Sequence, residues 1–169
     1  ALRNKCSLLI CDTESDPTLE AEYLRYCEAI HTRGIILTEG FIQSTAVFER
    51  SSQRLIWLDR SIDGHHTCIH SDNRKGIRLL MDYLFNLNHR TIAYAGNISG
   101  FRSCEERYSA FLSAIQDRGL DLPPEFIFEG ALDATTGSRA MDYFCSLRNP
   151  PTAIVCANDL VAMGLCMRA

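Results

Sequence analysis

The sequence has no apolar run long enough to cross a bilayer, no C-x-x-C pair, no low-complexity stretch and no internal repeat. The first absence excludes a helical membrane span. The second removes the usual spacing of zinc ribbons and dithiol redox sites. The last two exclude linkers and solenoids. Positive charge is also scarce: 17 Lys and Arg face 21 Asp and Glu, a formal net charge of -4. With no basic cluster, the chain by itself is a poor binder of nucleic acid. Ala1-Leu2-Arg3-Asn4-Lys5 leads straight into an apolar run and does not read as a signal peptide.

What is present describes a globular protein. Hydrophobic residues make up 46% and charged residues 22% of 169 residues, enough chain to bury a real core. The 8 cysteines are scattered through apolar segments, where a free thiol behaves as a small hydrophobe. This usage predicts a reducing compartment, the cytosol, rather than a disulfide framework.

The periodicity switches between strand and helix along the whole chain. Apolar residues 6–10 read as a strand, and Asp16-Pro17 as an N-cap followed by proline at the first helical position. Leu19, Tyr23, Cys27 and Ile30 mark one face of the helix that follows. Residues 34–37 and 55–58 read as strands, 44–50 as a short helix, and 67–69 as a short extended crossing. The stretch from Ser71 to Gly96 is the most informative. Ser71, Asp72 and Asn73 are all N-cap residues. Ile77, Leu80, Met81, Leu84 and Leu87 follow at helical spacing, and Asn88 stands where a helix wants a left-handed stop. Residues 91–95 then form a strand into Gly96. Ser103-x-x-Glu106 reads as a capping box for the next helix, with Tyr108, Phe111, Leu112 and Ile115 inward and Gly119 at its end. Residues 126–128 read as a strand, 135–147 as a helix and 153–156 as a strand, with Asn158 capping a last helix. Strands alternating with helices predict an α/β fold of parallel strands joined by crossovers.

Wording and order together resemble the effector-binding domain of the lac-repressor/galactose-repressor family, the LacI-type regulators. The family form is D-N-x-x-G, an apolar helix, then L-G-H-R-x-I-A. Here it stands as Asp72-Asn73 with Gly76, and Leu87-Asn88-His89-Arg90-Thr91-Ile92-Ala93, with Asn88 for the usual glycine. The resemblance implies two Rossmann-like lobes of the type I periplasmic-binding-protein kind, incomplete at both ends. Residues 1–70 would belong to the N-terminal lobe and 71–169 to the C-terminal lobe, with a ligand cleft between. The family's helix-turn-helix head has no counterpart in these residues. A non-catalytic function follows: binding a small metabolite, a sugar or nucleoside, to control an attached DNA-binding head. The resemblance further implies a homodimer when complete, operator DNA reached only through that head, no membrane partner and no cofactor. The alternative is a periplasmic sugar-binding protein of an uptake system.

Open parallel sheets bind ligands beyond the carboxyl ends of their strands. Polar residues follow each predicted strand: Asp12 and Thr13, Thr38 and Glu39, Asp59 and Arg60, Asn97 and Ser99, Glu129 and Asp133, Asn158 and Asp159. Such a rim suits a polyhydroxylated ligand, although polar loops and helix caps account for the same residues. Arg107 matches the arginine of the family's R-x-x-G-F, here with Ala110 for Gly; its fork would donate to ligand hydroxyls, or else pair with a nearby carboxylate. Asn158 and Asp159 match A-N-D-x-x-A-x-G, where Asp159 would accept from vicinal hydroxyls or serve the helix end. Asp59 and Arg60 match L-D-R. Leu132 stands where the family often has an aromatic against the sugar face. Asp12 completes the candidates.

Two other signals carry less. His66, Cys68 and His70 alternate along an extended piece, but no fourth zinc ligand is near in sequence. Gly96-Asn97-Ile98-Ser99-Gly100 lies between strand and helix without the lysine of a P-loop or the spacing of a dinucleotide loop.

Overall fold

The computed structural model describes residues 5–14, 16–38, 54–59 and 67–169, which fall into two compact units, Ala1–His70 and Ser71–Ala169. The candidate helix at 44–50, and Glu39, Arg60 and His66, lie outside the described residues.

In the first unit, α1 spans Pro17–Ala29, and the Asp16 side chain caps it by accepting from the Thr18 amide. Strands β1 (Ile35–Leu37), β2 (Leu55–Leu58) and β3 (Thr67–Ile69) form a parallel sheet in the order β1-β2-β3. Residues 67–69, read from sequence as a crossing, are thus a strand. Trp57, Leu55 and Leu24 make the core, with Ile35, Leu37 and Cys68 packed around them. The strand expected at 6–10 does not form. Ser7 to Ile10 find no ladder partner among the described residues, and Leu8 and Ile10 are 76% and 82% exposed. An apolar run alone does not make a strand; it needs a neighbour to take its backbone groups.

The second unit is a three-layer arrangement. Its sheet has β4 (Ile92–Gly96) at the centre, between β5 (Ile127–Glu129) and β6 (Ala153–Cys156), all parallel. All five residues of β4 are buried, as expected of a parallel strand covered on both faces. Helices α2 (Asn73–Asn86) and α3 (Arg102–Asp117) pack with Tyr94, Ile92 and Val155 in one cluster. Helices α4 (Ala134–Ser146) and α5 (Asp159–Arg168) flank the other cluster, where Ala140, Phe144 and Val161 meet Ala93 and Ala95. Gly137 and Gly164 let α4 and α5 meet backbone to backbone: a Cβ on Gly137 would collide with the Val161 carbonyl, and one on Gly164 with that of Ala134.

The ends of α2 show how the Asp-Asn and Asn-His-Arg motifs work. Asp72, not Ser71 or Asn73, is the cap, accepting from the Lys75 amide at 2.9 Å. At the far end Asn88 has φ 65°. The Asn88 amide bonds the Phe85 carbonyl and the His89 amide bonds that of Leu84, the paired pattern of a left-handed helix stop. Arg90 donates to the Phe85 carbonyl at 3.0 Å, and the His89 ring meets the Thr152 hydroxyl at 2.9 Å, tying the helix end to the start of β6. Within α2, Ile77, Met81 and Phe85 are buried while Leu80 and Leu87 are exposed, so the buried face is turned from the one read in sequence.

The capping box at Ser103 is corrected. Helix α3 begins at Arg102 with Phe101 at the cap position and no side-chain cap bond. Glu106 is drawn instead to Arg102 at 2.8 Å and to Asn73 at 3.1 Å. The charged Arg102 donor, joined by the Asn73 amide, takes its carboxylate in place of a backbone amide.

Candidate functional site

The loops beyond β4, β5 and β6 converge at the carboxyl edge of the second unit's sheet. Gly96, at φ 119°, ends β4, and a Cβ there would meet that of Ala157 at 2.6 Å, so the loop after β6 closes tightly over it. The Gly130 amide reaches the Gly96 carbonyl at 3.3 Å, joining the loop after β5.

Arg107 stands on α3 and spans three elements. Its Nε donates to Asn73 Oδ1 on α2 at 2.8 Å, and one Nη donates to the Ala157 carbonyl at 2.6 Å. The second Nη makes no hydrogen bond among the described residues. Asn73, only 8% exposed, turns its amide nitrogen to Glu106. The order is Glu106, Asn73, Arg107, Ala157: a carboxylate orients an amide, the amide orients a guanidinium, and the guanidinium holds the loop that carries Asn158 and Asp159. Burial pushes the Glu106 carboxyl up, but the hydrogen bonds from Arg102 and Asn73 outweigh it and hold the group below its ordinary value. Near Arg107, Tyr94 packs in tilted ring contact with Tyr108 and Phe111, centroids 5.1 Å and 5.3 Å away. Burial, with Cys104 beside it, drives the Tyr94 phenol well above its usual range, so it stays neutral.

Asn158 is committed to the fold. Its oxygen accepts from the Val161 amide at 2.9 Å as the cap of α5, and its nitrogen donates to the Leu132 carbonyl at 3.1 Å. Leu132 is half-buried against the α2–α3 cluster, placed there by that bond. Asp133, next in line, caps α4 through the Thr136 amide at 2.7 Å, which holds its carboxyl below the usual value. Asp159 opens α5 and is exposed, with no hydrogen bond or ion pair among the described residues. Cys156, just before this loop, stays protonated at neutral pH: burial, with Cys166 nearby, pushes its thiol up to about 11.

The structure therefore brings Leu132, Asn158 and Asp159 together at the touching loops after β5 and β6, with Arg107 reaching them from α3. In the first unit, Asp12 accepts from the Glu14 amide at 2.9 Å in a local turn. Asp59 sits past β2 at φ 54°, its amide donating to the Ile69 carbonyl at 2.8 Å. Arg60 lies outside the described residues. Cys68 Sγ and His70 Nδ1 are 3.9 Å apart. The sequence reading missed Asn73 and Glu106 as the pair that aims Arg107. No signal in the sequence gave this pair: that Asn73 is buried, and so must find partners for its amide, is visible only in the structure.

The periplasmic binding protein-like domain profile matches residues 81–169. A probable HTH-type transcriptional repressor ExuR of Bacillus subtilis is 30% identical over 133 residues, which cover 77% of this chain and 40% of that protein. The HTH-type transcriptional repressor PurR of Aliivibrio salmonicida is 26% identical over 162 residues, or 94% of this chain and 49% of the repressor. Among solved structures, a LacI family regulator of Lactobacillus casei with bound glucose superposes with a TM-score of 0.84 at 25% identity, covering 99% of this chain and 64% of that one. The same regulator is also known with bound sucrose. The chain thus spans about half the length of the curated relatives it matches. With its parallel sheets, its Asp-Asn and Asn-His-Arg motifs set at the two ends of α2, and this match over more than half of its residues, the chain belongs to the periplasmic binding protein-like domain family.

Proposed function

We propose that this chain is the effector-sensing part of a LacI-type transcriptional regulator, non-catalytic and cytoplasmic. The ligand is a small polyhydroxylated metabolite, a sugar or nucleoside. Residues 1–70 and 71–169 act as the two lobes, and DNA is contacted by a head outside them, in a homodimer. One observation carries the reading. Arg107 is rigidly aimed by Asn73 and Ala157 while half of its fork stays unengaged, next to the loop bearing the unpaired carboxylate of Asp159. A fixed donor fork with an exposed carboxylate on the adjoining loop suits vicinal hydroxyls. Leu132 supplies an apolar contact, and Asp12, Asp59 and Arg60 belong to the same proposal from the first unit. The sugar-bound regulator of Lactobacillus casei supports the ligand class. A ligand that prefers one of two conformations then shifts DNA affinity by linkage.

Thermal shift of the intact protein against a panel of monosaccharides, disaccharides and nucleosides tests this. A saturating ligand at about a hundred times Kd stabilises by about 2.7 kcal/mol, so one member of the panel should raise Tm by several degrees. No shift with any of them, at millimolar concentration, overturns the ligand class.

A further inference from the structure

We propose that Tyr94 positions Arg107 through one buried water, which accepts from the Tyr94 hydroxyl and from the unengaged half of the Arg107 fork. Tyr94 lies at the centre of β4 and is fully buried, and its hydroxyl makes no hydrogen bond among the described residues. A buried hydroxyl without a partner costs free energy that a native core rarely leaves uncompensated. The ring itself is accounted for by packing in one cluster with Ile92, Phe111 and Val155. A phenylalanine would fill the same space, so it is the oxygen that calls for a partner.

Two elements bring Arg107 to this hydroxyl. On α3, Tyr108 directly follows Arg107, and its ring centre is 5.1 Å from that of Tyr94. On β6, Val155 stands opposite Tyr94 in register. Ala157, two residues on, accepts from Arg107 with its carbonyl while its amide bonds the Ala95 carbonyl. The guanidinium is close enough for its charge to act on the phenol, and Cys104 and Cys156 lie around the same group. Of the five N–H groups of Arg107, one goes to Asn73 and one to Ala157. Both partners are donors here. A guanidinium offers no lone pair, and burial holds the phenol above its usual range, so it keeps its proton at neutral pH. A direct bond from Arg107 to the phenol oxygen would leave the O–H unserved. A water oxygen has two lone pairs and takes both donors at once. Ala110, Ala157 and Cys104, buried beside these groups, are small side chains, which suits a site of that size. The other N–H groups of Arg107 stay available to a ligand. The inference rests on the ligand reading only for what Arg107 then binds, and its test uses no ligand, so either can fail without the other.

Two measurements on the intact protein test it. The first is a crystal structure at a resolution that orders internal waters. Density for a water within hydrogen-bond distance of both Tyr94 Oη and an Arg107 Nη is expected. A hydroxyl that is dry, or that bonds a protein group instead, overturns the proposal. The second is proton exchange at the Arg107 Nη groups, followed by NMR in the wild type and in Tyr94→Phe, which keeps the ring and removes the oxygen. Loss of the bridge should speed that exchange roughly two- to tenfold, the weight of one hydrogen bond. The Nε–H bonded to Asn73 is the internal control and should not change. A ring that only packs would leave both rates alike in the two proteins, and that result overturns the proposal as well.

Discussion

Arg107 ties α2, α3 and the loop after β6 together, beside the ligand contact proposed for it, and substitution reads the structural part. Arg107→Lys keeps the charge but loses the fork that reaches Asn73 and the Ala157 carbonyl in two directions. Hydrogen bonds to a charged group contribute about 1.5–3 kcal/mol, so stability should fall by roughly that much. Chemical denaturation of the wild type and Arg107→Lys reads the difference, and equal midpoints would show that the loop after β6 holds itself. Glu106 adds a pH dependence. Its native carboxyl lies below the ordinary value. A group depressed in the folded state contributes fully above its unfolded pKa of about 4.3 and fades as pH falls through its native value. Glu106→Gln should therefore lower stability at pH 7 and decline less steeply than the wild type below pH 4, the remaining slope belonging to other carboxyls such as Asp133. Parallel acid limbs for the two proteins would sink this attribution.

Among the elements, the packing of α4 on α5 is the least tolerant contact. Gly164→Ala would drive a methyl group into the Ala134 carbonyl, where the neighbour is backbone and has no rotamer to change. Overpacking of this kind costs typically 1–3 kcal/mol, and this site belongs at the upper end. A Tm drop of several degrees in Gly164→Ala is expected, and an unchanged Tm would mean that the helices separate freely. Elements with local punctuation were readable in the sequence. Asp16-Pro17, Asn88, Gly119 and Asn158 all mark helix ends where the structure puts them, because capping is settled by the residue itself. Elements that depend on a distant partner were not. Residues 6–10 carry a strand's composition without a strand's neighbour, and residues 67–69 became a strand because β2 lies alongside. Ser103 failed as a cap for the same reason: Glu106 found Asn73, 33 residues away, a contact that no local pattern encodes. Likewise the positions of Arg107 and Asp159 at strand ends were legible, but the chain of bonds that aims Arg107 was not.

At the scale of the whole molecule, two parallel-sheet units each present polar loops at strand ends, and only in the second do described residues show a charged donor held onto a loop that leads into an exposed carboxylate, Asp159. Asp159 is the residue on which the proposed binding and the stability of the fold part company. It is exposed and makes no hydrogen bond or ion pair among the described residues, so Asp159→Ala should cost the fold no more than the roughly 0.3–1 kcal/mol of a carboxylate in a helix's first turn. If Asp159 accepts from ligand hydroxyls, the same substitution removes charge-assisted bonds of about 1.5–3 kcal/mol, roughly ten- to a hundredfold in affinity. The most direct measurement is isothermal titration of the intact protein and its Asp159→Ala variant with the sugar or nucleoside that raises Tm. A ten- to hundredfold weaker Kd with little loss of stability is expected; wild-type affinity in the variant would contradict the site.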